Sequence, residues 1–404
     1  MRVLSAHPPN ARDAQATARG LRLVWDILQR RGLPCEVYQV PGIMPLVTVG
    51  NGPLLLCTYL DDLSPAHADK HAPAVPGVSG DVASGAGVTR RAGLLATIGP
   101  VASADLHVDD VTLIIEADRH LGSVALQSWL EASDRAYQGA LWEASDLPVS
   151  APATFQSSTG NVTLEITVRS ETEDVEAFYA GVLPDIGHQL AGTLAALKSR
   201  DSEVLVPGFY DGIETPGVEA IASLNAIAED VQAWASRGAG GASEETTFSA
   251  SHMTLGVFCA PSILVRSIDV MDARPFLPRH ARAVVEARLM PGQDAAVIAR
   301  GLTEHLLRQL PSAVVEPLLV RHPYSGSWRI AFDDAGSATR YSTAVGDSPA
   351  GLLATHGIQS MGFATVARGP VASAEQARIS AIAEAAGFVL SLARGAGATT
   401  GASR

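Results

Sequence analysis

Four side chains suited to acid–base or electrostatic chemistry stand where apolar runs end. PLLLCTYLDD (53–62) runs into Asp61, VTLIIEADRH (111–120) into Arg119 and His120, and GALWEASD (139–146) into Glu143. A histidine titrates near neutrality and can move protons. An arginine fork grips carboxylates, and a fixed cation can stabilise a developing oxyanion. Asp61 and Glu143 would balance the cation. A rim that gathers these groups from several strand ends is where an α/β protein builds a site.

The elements that would position them are legible. In 14–31, Leu21, Val24, Trp25, Ile27 and Leu28 recur at helical spacing and Gly32 ends the run. CEVYQV (35–40) reads as a strand, and the three runs above read as buried strands of an open α/β sheet. Residues 64–89, rich in Ala, Gly, Pro and Ser, read as a loop, and 92–101 as a helix. The middle third changes character. NVTLEITVRS (161–170), SILVRSIDV (262–270), HARAVVEARLMP (280–291) and AVVEPLLVR (313–321) read as strands. Helical patterns cover 186–200, 218–238 and 295–310. That predicts an antiparallel sheet with helices on one face. Residues 358–368 read as a strand, 373–395 as a closing helix, and the tail 396–404 as disordered.

Composition narrows the function classes. With 47% hydrophobic and 18% charged residues, 404 positions suffice for packed cores and exclude wholesale disorder. Lys+Arg 29 against Asp+Glu 42 leaves a net charge of −13, which excludes generic binding to nucleic acid or anionic membranes. Cys35, Cys57 and Cys259 are scattered and make neither a disulfide framework nor a cysteine zinc site. No stretch is read as the roughly 18 to 20 apolar residues of a membrane span, and MRVLSAHPPN lacks a signal-peptide core. A cytoplasmic protein is the expectation. An Ala- and Gly-rich, Lys-poor chain suggests a GC-rich bacterial source.

The order of segments resembles the zinc-dependent aminoacylase and dipeptidase superfamily, which includes carnosinase, acetylornithine deacetylase and glutamate carboxypeptidase, and is most similar to its carnosinase-like branch. The resemblance spans roughly residues 10 to 395. It rests on VPGFYDGIETP (206–216), on ARLMPGQD (287–294) against the family's RxVPGQDP, on IIEADRHLGS (114–123) against IEGEEEIGS, and on GAGVTRRAG (85–93) against GRGxxDDKG. It implies an open mixed sheet flanked by helices, carried by 1–154 and 336–395, with an inserted α+β lid over 155–335 that would join two copies as a homodimer. It also implies an amino-acid-like or peptidyl substrate.

The zinc ligands do not carry over. The first metal histidine falls on Tyr59, while the aspartate two residues on is kept as Asp61. The bridging aspartate falls on Arg90 or Arg91, the catalytic glutamate on Arg119 and the neighbouring metal glutamate on His120. The next acidic ligand falls on Glu143 and the last histidine near Val371, beside a surviving Glu375. The lid histidine falls on Glu176. The family's carboxylate-binding arginine falls on Arg288, and its substrate-binding serine on Ser348 or its neighbour Asp347. Arginine ligates no metal and stays cationic, so neither a dinuclear zinc site nor another cofactor is expected.

Three functions are compatible with this pattern. The first is a repurposed, metal-independent enzyme of bacterial secondary metabolism using Tyr59, Asp61, Arg90, Arg91, Arg119, His120 and Glu143, by hydrolysis, acyl transfer, cyclisation or elimination. The second is a non-catalytic binding or partner protein in which the arginines merely repair an acidic cluster. The third is a metallohydrolase with an atypical ligand set, Asp61, His120 and Glu143. Other histidines take blander readings: His188 and His305 as surface or satisfied core residues, His67 and His71 as loop residues between prolines.

Overall fold

A computed structural model describes residues 11–60, 77–84, 88–144, 152–170, 175–229, 231–232, 249–271, 276–328, 339–364 and 376–401. The chain forms two compact units. The larger comprises Pro8–Ser158, Thr215–Cys259 and Tyr324–Arg404; the smaller contains Thr159–Glu214 and Ala260–Pro323.

A nine-stranded mixed sheet organises the larger unit. Its spatial order is Cys35–Tyr38, Leu46–Val49, Val111–Glu116, Leu54–Tyr59, Gly139–Glu143, Ser360–Ala364, Ala153–Ser158 and Tyr324–Ser325, with Thr339–Ala344 also paired to Ala153–Ser158. The four central strands, Val111–Glu116, Leu54–Tyr59, Gly139–Glu143 and Ser360–Ala364, run parallel. Every residue of these four is buried, which is why they read as unbroken apolar runs: helices cover both faces. Alternation sorts their side chains between two cores. Leu54 and Leu56 join Leu94, Ile98, Phe388 and Leu392 on one face, under helices Ala11–Arg30, Val88–Ala102 and Ile379–Gly401. Leu55 and Cys57 join Leu126, Leu224, Phe258 and Leu353 on the other, under Val124–Glu131, Val218–Ala226, Ala250–Phe258 and Ala350–Thr355.

Three local expectations are corrected. The supposed loop 64–89 contains a short hairpin, Gly77–Ser79 with Val82–Ser84, which pairs with Gln376–Arg378. Residues before Gly77 lie outside the described set. The supposed disordered tail is helical as far as Gly401, because Leu392, Ala393 and Ala396 anchor the closing helix in the core. That helix also overturns the reading that no segment matches a membrane span. Over 379–397 it is long and apolar enough by length and composition, with a hydropathy of 1.3, although 33% of it is buried inside the fold.

The smaller unit has the expected α+β form. Four antiparallel strands lie in the order Ser262–Met271, His280–Leu289, Gly160–Arg169, Val314–Arg321. Buried and half-buried residues alternate along Gly160–Arg169, so one face is packed. Helices Ile186–Ala195 and Ala295–Gln309 cover it through Leu190, Leu194, Ile298 and Leu302. Two of the four segments that carried the resemblance are clasped together here. Gln293 Nε2 donates to the Phe209 carbonyl at 2.6 Å, and a Cβ at Gly292 would lie 2.1 Å from the Gly212 carbonyl oxygen. Gly292 also has φ +90, so backbone freedom and close approach both require glycine there.

Candidate functional site

Parallel pairing brings the carboxyl ends of the central strands together. Tyr59 lies across from Glu116, and Cys57 from Trp142, which precedes Glu143. Beyond Glu116 the chain turns sharply through Arg119–Leu121, a single 3-10 turn. The Asp118 carbonyl accepts from Leu121 and Ser123 N–H at 2.9 and 3.0 Å. Gly122 and Ser123 both take positive φ, 108 and 55. For the serine that conformation costs on the order of 1 kcal/mol. The Asp118 carboxylate then accepts from Ala125 N–H at 2.9 Å, placing a negative charge at the start of helix Val124–Glu131.

Arg119 points inward from this turn and is 0% exposed. Its Nε and Nη2 donate to Glu116 Oε1 at 3.1 and 2.7 Å, and Nη1 donates to the Glu143 backbone carbonyl at 2.7 Å. The guanidinium carbon lies 4.2 Å from the centroid of the Tyr59 ring. Burial opposes the arginine's charge, but the Glu116 carboxylate, its hydrogen bonds and the neighbouring Tyr59 outweigh that and push the pKa up. Nearby Cys57 is driven the same way: burial first and the Glu116 charge second raise its thiol pKa, against a smaller opposing pull from Arg119.

His120, next on the turn, meets the Tyr59 ring edge-on, with centroids 5.4 Å apart at 87°. Its Nδ1 lies 2.7 Å from Asp347 Oδ2, and the imidazole is only 3% exposed. A carboxylate at Nδ1 fixes the ring's orientation. Glu143 is buried, and its Oε2 accepts the Thr58 hydroxyl.

The structure thus gathers Tyr59, Arg119, His120, Glu143 and Asp347. Of the two rivals at 347 and 348, Asp347 reaches His120, while Ser348 Oγ accepts from Ala350 N–H at 3.0 Å. Arg90 and Arg91 lie in the first turn of helix Val88–Ala102, but their side chains, like all of Asp61, Val371 and Glu375, are outside the described residues. Arg288 belongs to the smaller unit, where its Nη2 donates to the Ala260 carbonyl at 2.8 Å and burial pulls its pKa down against the Glu286 charge. Glu176 is bridged to Phe276 in that same unit. His188 is exposed. His305 is buried, and its Nε2 has no hydrogen-bond partner among the described residues.

Two participants escaped the sequence reading. Glu116 closes an apolar strand, and its role as partner of Arg119 depends on a turn that periodicity does not reveal. Thr58 lies within the apolar run PLLLCTYLDD, and nothing in its spacing marks it. An acid three residues before an arginine, at a strand end, is the one signal that pointed to the first.

A zinc pair needs carboxylate and imidazole donors converging on each ion. Among the described residues no three His, Cys, Asp or Glu side chains do so. Of the described donors, the Glu116 carboxylate faces the Arg119 guanidinium, the Glu143 carboxylate takes the Thr58 hydroxyl, and the His120 imidazole meets Asp347 and the Tyr59 ring. The described donors alone do not make up a zinc pair.

No family model and no curated protein match the sequence. Solved structures do match in fold. Human carnosine dipeptidase 1 aligns with a TM-score of 0.75 at 18% identity, over 97% of this chain and 93% of that one. The M20 family metallo-carboxypeptidase Sso-CP2 from Sulfolobus solfataricus aligns at 0.76 and 17%, over 95% and 94%. The dipeptidase Dug1p from Saccharomyces cerevisiae aligns at 0.75 and 12%, over 95% and 91%. The expected zinc-peptidase fold is therefore present along nearly the whole chain.

Proposed function

We propose that this chain, built on the fold of the M20 metallo-dipeptidases and carboxypeptidases, is a metal-independent enzyme acting on an amino-acid-derived or peptidyl small molecule. The observation that carries this reading is the His120–Asp347 contact at 2.7 Å, made at the strand ends where this fold keeps its chemistry. A buried imidazole oriented by a carboxylate is a general acid–base, and such a group contributes typically 10²–10⁴-fold to a rate. Arg119, held by Glu116, keeps the rim in place. Asp61, Arg90 and Arg91 belong to the same proposed site by resemblance, and Arg288 is the proposed carboxylate-binding group. Amide hydrolysis, acyl transfer, cyclisation and elimination all suit one proton-transfer pair, and a role in bacterial secondary metabolism, in the cytoplasm, fits the composition.

A second reading has its own support. Arg119 is wholly buried with its fork on Glu116, which is the arrangement that simple charge repair would leave in a non-catalytic binding protein. One experiment separates them. Purified protein is incubated with a panel of dipeptides and N-acyl amino acids, with and without chelator, and products are followed by mass spectrometry. The enzyme reading expects turnover that survives chelation and falls by about 100-fold or more in His120→Ala. Turnover abolished by chelator, or equal in His120→Ala, contradicts it; saturable binding without any product favours the binding protein.

We also propose a homodimer through the smaller unit. Strand Ser262–Met271 is the outer strand of its sheet and exposes Leu264 and Ile268. An exposed apolar edge invites pairing with a second chain. Light scattering should give twice the chain mass for the native protein and the single mass for Leu264→Lys/Ile268→Lys; a native monomer contradicts the proposal.

A further inference from the structure

We infer that the Arg119 guanidinium is a tethered ligand filling a cation seat of the fold, and that the ligand class this seat accepts is a planar guanidinium rather than a metal ion. Among the described residues, three groups wall the seat. Glu116 Oε1 takes two N–H groups from one edge of the fork, the Glu143 carbonyl takes one from the other edge, and the Tyr59 ring covers the guanidinium at 4.2 Å. A flat, delocalised cation matches a two-edged, one-faced enclosure of this kind. A divalent ion would gain nothing from the ring face.

Among the described residues, both side-chain hydrogen bonds accepted by the Glu116 carboxylate come from Arg119, and its other oxygen, also buried, has no partner. Both side chains of the pair are 0% exposed. Removing the guanidinium therefore leaves an anionic cavity that water does not freely reach, shaped for the group just removed. The inference rests on the metal-independent reading, yet it is tested by folding alone, so a failed turnover experiment leaves its outcome open to measurement.

The test uses Arg119→Ala in the full chain. Its thermal midpoint is measured against millimolar guanidinium chloride, with matched sodium chloride, urea and zinc chloride as controls. We expect a saturable rise with guanidinium that recovers a substantial part of the midpoint lost, and no such rise in the wild type or in Arg119→Ala/Glu116→Ala. Absence of a saturable rise overturns the inference, as does an equal rise in the double variant, or a rise with zinc but not guanidinium. If the variant is recovered only unfolded, refolding by dilution gives the same reading: recovery of folded protein with millimolar guanidinium supports the seat, and no gain over sodium chloride overturns it.

Discussion

The larger and smaller units use the same ion pair in opposite ways. In the larger, Arg119 and Glu116 are buried completely. On the sheet of the smaller, Arg282 pairs with Glu165 and Arg266 with Glu286, with the arginine side chains 35% and 48% exposed. Chemistry and fork geometry are alike, but the surroundings differ. Water reaches these pairs from the arginine side, although the glutamates are only 20% and 19% exposed, and screens them more than the buried pair, so forming them changes less. The buried pair has no such alternative, and each group holds the other's charge against desolvation. An arginine–carboxylate contact therefore says little until its burial is known.

The largest expected effect follows from the buried pair. Arg119→Ala should reduce the unfolding free energy of the larger unit by about 3–5 kcal/mol in denaturant titrations, since it strands Glu116. Raising ionic strength should leave that loss almost unchanged. A loss below 1 kcal/mol would erase the distinction between the two regions.

An intermediate effect belongs to the smaller unit. Asp294 caps helix Ala295–Gln309 by accepting from Val297 and Ala296 N–H. The Val297 hydrogen bond above all, with the Ala296 bond also contributing against slight desolvation, holds its carboxyl below the ordinary 3.8. A depressed folded pKa gives stability that is present above the unfolded value and is lost as pH falls through the folded one. Asp294→Ala should therefore cost about 1 kcal/mol near neutrality, and the difference from wild type should shrink below pH 4. A difference that grows on acidification would reverse the sign.

Smallest of all, Arg282→Ala should cost no more than about 1 kcal/mol, and less as salt is added. Equal losses in Arg282→Ala and Arg119→Ala would show that burial does not set the scale.

How much of this was legible depends on what each segment needed from its neighbours. The parallel strands announced themselves because both faces are buried, and the lid strands did so through alternation, as in Gly160–Arg169. Leu46–Val49 and Ala153–Ser158 were missed: one is only four residues long, and the other is ATFQSS, a half-polar string buried by its sheet partners. Helix Ala250–Phe258 was missed because ASHMTLGVF carries little apolar periodicity. At the site, residue types were readable but pairings were not. The reading matched the arginines with Asp61 and Glu143, whereas the described carboxylate on Arg119 is Glu116, and Arg119 reaches Glu143 through its backbone carbonyl. Which acid meets which base is decided by a tight turn at 117–123, and turn geometry leaves only Gly122 as its trace in the sequence.

In the proposed function the Arg119 guanidinium, and not a divalent cation, supplies the positive charge of the site. This is tested most directly by metal content and thermal midpoint on one preparation, before and after dialysis against a strong chelator and again after adding zinc. Far less than one metal ion per chain and a midpoint that moves in neither step are expected. One or more tightly held zinc ions per chain, lost to the chelator together with a fall in midpoint that zinc restores, would contradict that reading.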